Sequence, residues 1–364
     1  MTFLENTIIR EDLEEIYRRN IRWDKLKGKT ILITGAYGML ASYVTYMCIY
    51  LNEVHHYNLR IVVAVRSKEK LEARFGKYIY KDYFEMCFAD INAPLPVQGG
   101  DIQYIIHGAS YASSQYYGTM PIDVILPNVL GTIELLNLAS ERNNESFLLF
   151  SSAEVYGKIQ ENERIITEES MGSVDTLDIR NCYCESKRMA EMLCNAWFRQ
   201  RKIAVKIARI CHTYGPTMDI EKDQRVFSSF VNDIVNHRNI VMKSKGLAKR
   251  PFCYIADAVA GYFLILLDGV TGEAYNVCNA DEFVSIRQLA DTLVSLYPDR
   301  CLKVEMQSRE KGSAYIENTS AGDIPYSSDK LKALGWECRY SLQEGFKRTI
   351  RSIEDGMEAK DEHR

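Results

Sequence analysis

The sequence predicts an α/β protein: a doubly wound parallel sheet followed by a smaller, mixed α/β lobe made from the C-terminal third. Three observations carry this. Short apolar, β-branched runs alternate with amphipathic helical stretches as far as Ile210, the pattern of a parallel sheet covered on both faces. A glycine-spaced turn, "TGAYGMLA", stands between the first such run and the first long helical stretch. After Thr213 the pattern becomes mixed, with short strands such as Ala274–Val277 set between helices. At 364 residues the chain is long enough for one large domain, or a large and a small one.

The runs predict strands at Thr30–Thr34, Arg60–Val65, Phe84–Ala89, Ile102–His107, Phe147–Ser151 and Ala204–Ile210, with helices filling the gaps. Residues 1–28 read as an added N-terminal helix that packs on this core or on a partner subunit. The glycine-spaced turn between strand and helix predicts that residues 29–212 form a dinucleotide-binding domain, to which some later segments return. Residues 213–350 mainly form a substrate lobe, and 351–364 a charged tail.

Composition excludes several classes. A formal net charge of -4 without a long basic block argues against nucleic acid, whose binding rests on clustered Lys and Arg. The opening "MTFLENTIIREDLEEIYRRN" is charged and helical rather than a basic end followed by an apolar run. No apolar run approaches the roughly 20 residues of a membrane span. The ten cysteines are scattered, and Cys182 and Cys184 flank a tyrosine without metal-ligand spacing. They read as incidental thiols of a cytoplasmic protein, with no metal expected.

In "TGAYGMLA", Gly35, Gly38 and Ala41 follow an apolar strand and open a helix. Gly35 permits the tight turn, Gly38 lets backbone approach a pyrophosphate, and Ala41 lets the helix pack closely on the strand. This is the turn of a Rossmann-type NAD(P) site, and Tyr37, Met39 and Leu40 join it. A tight turn without a ligand is the plain alternative. At the end of the second strand, "VVAVRSKEK" places Arg66 where an acid would favour NAD. Arg66 and Lys68 could hold a 2′-phosphate, Arg66 could stack on adenine, or both could be solvated, so NAD versus NADP stays open. Asp90 and Ile91 close the third strand near the expected adenine. "HGAS", with Ala109 and Ser110, closes the fourth beside the cofactor channel.

In "YCESK", Tyr183 and Lys187 lie four residues apart on one helix face. A lysine ammonium and a nearby nicotinamide stabilise phenolate, so Tyr183 can take a proton from a sugar hydroxyl. Upstream, "SSAEVYG" ends a buried strand with Ser152, Ala153 and Glu154.

From Lys29 to Ile350 the sequence resembles the extended short-chain dehydrogenase/reductase family, in its nucleotide-sugar epimerase, dehydratase and decarboxylase branch. "ASYASSQYY", "NVLGTIELLNLA", "NCYCESKRMAEMLC", "RVFSSFVNDIV" and "KRPFCYIADAV" look most like UDP-glucuronate decarboxylases. The resemblance implies a tightly held NAD(P), a C-terminal lobe for a nucleotide sugar, and a homodimer with a helical interface. It makes Ser152 the assisting hydroxyl, Tyr183 the base that permits hydride transfer from carbon 4, and Lys187 the group that lowers its pKa and holds the ribose. Arg225 and Arg250 match phosphate-holding positions.

Three departures matter. His212 stands where asparagine is usual, as a substrate or wall residue. Lys243 replaces a tyrosine that packs near the nucleotide's base, which leaves the identity of that base open, and Asp323 and Ile324 fall where an arginine is expected. The dehydratase pattern has two acids after the hydroxyl. Ala153 cannot donate a proton, whereas Glu154 can still accept one. Uronate decarboxylation and epimerisation beside a 4-ketone therefore fit better than 4,6-dehydration. A non-catalytic dinucleotide binder is the remaining alternative, opposed by the intact Tyr183 and Lys187.

Overall fold

A computed structural model of the chain describes residues 2–160, 162–307 and 324–361. The chain runs α1 (Thr7–Tyr17), β1 (Thr30–Thr34), α2 (Met39–His55), β2 (Arg60–Val65), α3 (Lys68–Phe75), β3 (Phe84–Phe88), β4 (Tyr104–His107), α4 (Pro121–Glu141), β5 (Ser146–Ser152), α5 (Cys182–Arg201) and β6 (Val205–Ile210). It continues through β7 (His212–Tyr214), α6 (Val226–Val235), β8 (Ile240–Met242), β9 (Lys249–Tyr254), α7 (Ile255–Asp268), β10 (Ala274–Val277), β11 (Phe283–Ser285), α8 (Ile286–Ser295), β12 (Val304–Met306), α9 (Asp329–Lys332) and α10 (Leu342–Asp361).

Seven strands form one parallel sheet in the order β10-β6-β5-β4-β1-β2-β3. The order reverses between β1 and β4, and a crevice opens there beyond the carboxyl ends of the strands. Every residue of β1 is buried, because helices cover both faces; this is why the strands read as continuous apolar runs.

Three expectations change. Ala274–Val277 belongs to the large sheet, where Ala274 to Val277 pair with Ile207 to Ile210; a four-residue strand carries no local mark of which sheet it joins. No helix fills the gap between β3 and β4. Residues 89–103 cross without one, since Pro94 and Pro96 each lack an amide donor and restrict the preceding residue. The charged stretch after residue 350 continues α10 to Asp361. In addition, α4 is the one described helix with the length and apolar content of a membrane span. Its Leu135, Leu136 and Ala139 are buried in a core shared with β4, β5 and α5.

The remaining strands make two small sheets, β11-β9-β7 and β12-β8. Helix α1 docks on the core of its own chain. Asp12 is fully buried and accepts hydrogen bonds from Tyr43 (2.5 Å), Tyr254 (2.6 Å) and Arg348 of α10 (2.7 Å). Burial pushes its carboxyl up to about 6 against the pull of Arg348, so Asp12 is still an anion at neutral pH. Arg19, just beyond α1, pairs with buried Asp257 of α7 at 2.6 Å. All ten cysteines are free.

Candidate active site

The turn after β1 is shaped by a close approach. Gly35 has φ +68°, and a Cβ there would stand 2.9 Å from the backbone of Ala109 and from the Gly108 carbonyl. Only glycine meets both demands. Gly38 caps α2 without any side-chain hydrogen bond, which leaves amides of the first turn free for an anion.

A buried relay holds the two loops together. The Thr34 hydroxyl accepts the amides of Gly108 and Ala109, each at 3.1 Å, and lies 2.9 Å from His107 Nδ1. The other ring nitrogen of His107 meets the Pro127 carbonyl at 3.2 Å. A carbonyl only accepts, so Nε2 carries the hydrogen and Nδ1 accepts from Thr34. Burial, helped by the Lys187 charge, pushes His107 down to about 3, so the imidazole is neutral. Three residues further on, the enclosed hydroxyl of Ser110 has no partner among the described residues. Together, the free helix-end amides, the glycine-only approach and this hydroxyl fit a dinucleotide pyrophosphate.

The candidate reacting side chains stand across the crevice. Ser152 ends β5 and caps the following turn by accepting the Glu154 amide at 3.2 Å. On α5 the buried residues Tyr183, Ser186, Lys187, Ala190 and Cys194 recur every three or four positions and form the face against the sheet. Burial holds the Tyr183 phenol well above its ordinary value, with the Ser152 hydroxyl opposing. The ring of Tyr117 stacks on the phenol at 5.1 Å. Lys187 is 3% exposed, and its ammonium donates to the Phe150 carbonyl at 2.7 Å. Burial lowers it to about 7, with Glu191 opposing.

A cleft of about 750 Å³ joins these groups. Gly35, Gly38, Met39, Leu40 and Ser110 line one side, and Ser152, Glu154, Tyr183 and Lys187 the middle. His212, Arg225 and Arg250 complete it. Glu154 is open to the cleft yet ringed by protein; burial raises its carboxyl, opposed by Arg250. His212 is pushed down to about 3 by burial and by the charges of Arg250 and Arg225, so it lines the wall as a neutral ring. Arg225 pairs with Asp223 at 2.6 Å.

Other expected residues stand outside the cleft lining. Arg66 is exposed and donates to the Tyr111 hydroxyl at 2.7 Å. Tyr37 faces Lys70, whose ammonium is 5.8 Å from its ring centre. Ala109 contributes backbone beneath Gly35. Asp90 is exposed and accepts the Asn92 amide, while Ile91 is buried against Gly131. Lys243 is exposed on the surface. Ile324 packs near Val155 and Tyr156, and Asp323 lies outside the described residues. The sequence reading missed Tyr117, Lys249 and Tyr326, which also line the cleft. Tyr117 sits within the quoted "ASYASSQYY" segment. No local spacing marks Tyr326, which arrives through backbone bonds between Ile166 and its neighbours Pro325 and Ser327, both 2.8 Å.

Residues 31–278 match the NAD dependent epimerase/dehydratase family. The chain belongs to that family. It is therefore an enzyme of the epimerase/dehydratase type that binds NAD(P). Among relatives, UDP-glucuronic acid decarboxylase 6 of Arabidopsis thaliana is 34% identical over 319 residues, 86% of each chain. The dTDP-D-glucose 4,6-dehydratase of Bos taurus is 28% identical, over 89% of this chain and 88% of that one. In fold, the chain matches the UDP-glucose 4-epimerase of Thermotoga maritima with a TM-score of 0.72 at 19% identity, covering 90% of this chain and 99% of the other.

Proposed function

We propose that this family member removes carbon dioxide from a nucleotide-linked uronate by way of a 4-keto sugar. The observation that carries the reading is Glu154 under the influence of Arg250 in the same cleft as Ser152 and Tyr183, with apolar Ala153 where a second acid would stand. Tyr183 accepts the proton of the sugar's 4-hydroxyl while Ser152 holds that oxygen. When bound, NAD(P) takes up the carbon-4 hydride and returns it. Arg250 and Arg225 supply cations for phosphate or carboxylate groups, and the ketone at carbon 4 stabilises the charge left by departing carbon dioxide. Glu154, raised by burial, also suits removal of the carbon-5 proton, so epimerisation is the second reading.

Incubation with UDP-glucuronate, UDP-glucose, GDP-mannose and dTDP-glucose in deuterated water decides between them. The expected result is loss of carbon dioxide from the uronate. Deuterium uptake at unchanged composition marks epimerisation. Efficient loss of water from a hexose would overturn the reading of Ala153.

The dinucleotide is held tightly between cycles in this reading, and acid extraction with mass measurement tells NAD from NADP. Engagement of Arg66 by Tyr111 favours stacking over capture of a 2′-phosphate. The protein also works as a homodimer: α4 and α5 expose Ile122, Leu130, Met189 and Met192, apolar side chains that a second copy would cover. Light scattering of wild type and Met192→Glu tests this, with monomeric wild type the contrary outcome. Ten free thiols suit the reducing cytoplasm in which we place it.

A further inference from the structure

Glu191 is a partly buried carboxylate that the proposed chemistry leaves unused. It follows Lys187 by one turn of α5. Its carboxylate accepts Nε and Nη2 of Arg209 at 3.1 and 2.8 Å, and the Ser151 hydroxyl at 2.5 Å. Arg209, on β6, is itself anchored: Nη1 donates to the Glu168 carbonyl at 2.8 Å and to the Tyr156 hydroxyl at 3.2 Å. The carboxylate is thus fixed from β5 and β6 while its helix carries Lys187 into the site.

We propose that Glu191 is a positioning residue whose negative charge, fixed by Arg209 and Ser151, keeps the Lys187 nitrogen protonated at the floor of the active site. The inference rests on the reading of Lys187 as the cation that tunes Tyr183 and holds the ribose.

The physical need is plain. A lysine enclosed in protein sheds its proton unless an anion stands near. The hydrogen bond from Lys187 to Phe150 goes to a neutral carbonyl. The groups that bear on Lys187 are Glu191, Cys194 and Tyr183 on α5 and His107 on β4. His107 is neutral, and burial raises the Cys194 thiol, which keeps it uncharged. Burial raises the Tyr183 phenol, which carries charge only when it serves as the base. Glu191 is therefore the one carboxylate acting on this ammonium among the described residues. Arg209 is paired with this carboxylate at 2.8 Å.

The test is the pH–rate profile of the full chain with its bound dinucleotide, using whichever of the four nucleotide sugars it turns over fastest. The alkaline limb of wild type reports loss of the Lys187 proton. Glu191→Gln should move that limb toward acid by about one to three pH units, the range for a neighbouring charge, while Glu191→Asp keeps it near the wild-type position. Glu191→Gln leaves Arg209 unpaired and can fold poorly. Glu191→Gln with Arg209→Gln removes that strain and should show the same displaced limb. Either folded variant with its limb unmoved, whatever its loss of rate, overturns the inference and leaves Glu191 a structural residue. Lys187→Met separates this from the underlying reading. If it is inactive while the Glu191 limb stays in place, only the inference falls; if it matches wild type, both fall.

Discussion

Lys187 donates its ammonium to the carbonyl oxygen of Phe150 at 2.7 Å, and its nitrogen stands 5.8 Å from the centre of the Tyr183 ring. The lysine charge thus stands off the phenol without bonding it, while the Ser152 hydroxyl favours the phenolate. The two residues of the YxxxK pair then have separable roles. Tyr183→Phe should lower turnover by about 10²–10⁴-fold, the usual general-base contribution, and leave dinucleotide content unchanged on acid extraction. Lys187→Ala should reduce both. A Tyr183→Phe enzyme that keeps more than about a tenth of its rate would remove Tyr183 from the base role.

The Gly35 turn gives a binding prediction. Gly35→Ala would set a methyl group 2.9 Å from the Ala109 backbone at a φ of +68°, so either the turn or the Gly108–Ala109 loop must move. The purified variant should carry little or no dinucleotide while its far-UV circular dichroism stays that of wild type. Full occupancy in the variant would show that this turn is not the pyrophosphate cradle.

His107 predicts a dependence of stability on pH. Its folded value is near 3 and its unfolded value 6.5, so below 6.5 the unfolded chain binds a proton that the folded one refuses. Stability is complete above pH 6.5 and falls as pH drops toward 3, by up to about 1.4 kcal/mol per pH unit. His212 is lowered in the same direction and adds to the slope. Urea midpoints measured across this window should show a shallower slope for His107→Gln than for wild type. An identical slope would mean that His107 is protonated in the folded protein.

Asp12 tests the docking of α1. Its removal leaves the guanidinium of Arg348, whose side chain is 13% exposed, without its closest carboxylate, and strips the buried hydroxyls of Tyr43 and Tyr254 of an acceptor. Asp12→Ala should cost about 3–5 kcal/mol, the usual penalty for breaking a buried pair from one side. Denaturant unfolding measures it. A loss under about 1 kcal/mol, typical of exposed pairs, would show that α1 does not seat on the core.

What the sequence determined by itself was local. Strands β1 and β2 end where the apolar runs end, because a strand buried on both faces is apolar along most of its length. The 35–41 turn and the Tyr183–Lys187 pair were legible because their chemistry depends on spacings of three and four residues, which backbone geometry turns directly into position. Tertiary structure alone decided the rest. It returned β10 to the edge of the large sheet, brought Tyr326 and Arg250 to the cleft that holds Glu154, set Arg66 against Tyr111, and turned Lys187 onto Phe150. These partners lie tens to hundreds of residues apart or depend on which face of an element is covered. No periodicity records such meetings; they follow from how separate apolar faces are buried against one another, and the polar groups carried along with those faces then pair, or change their proton affinity, according to the space left for water.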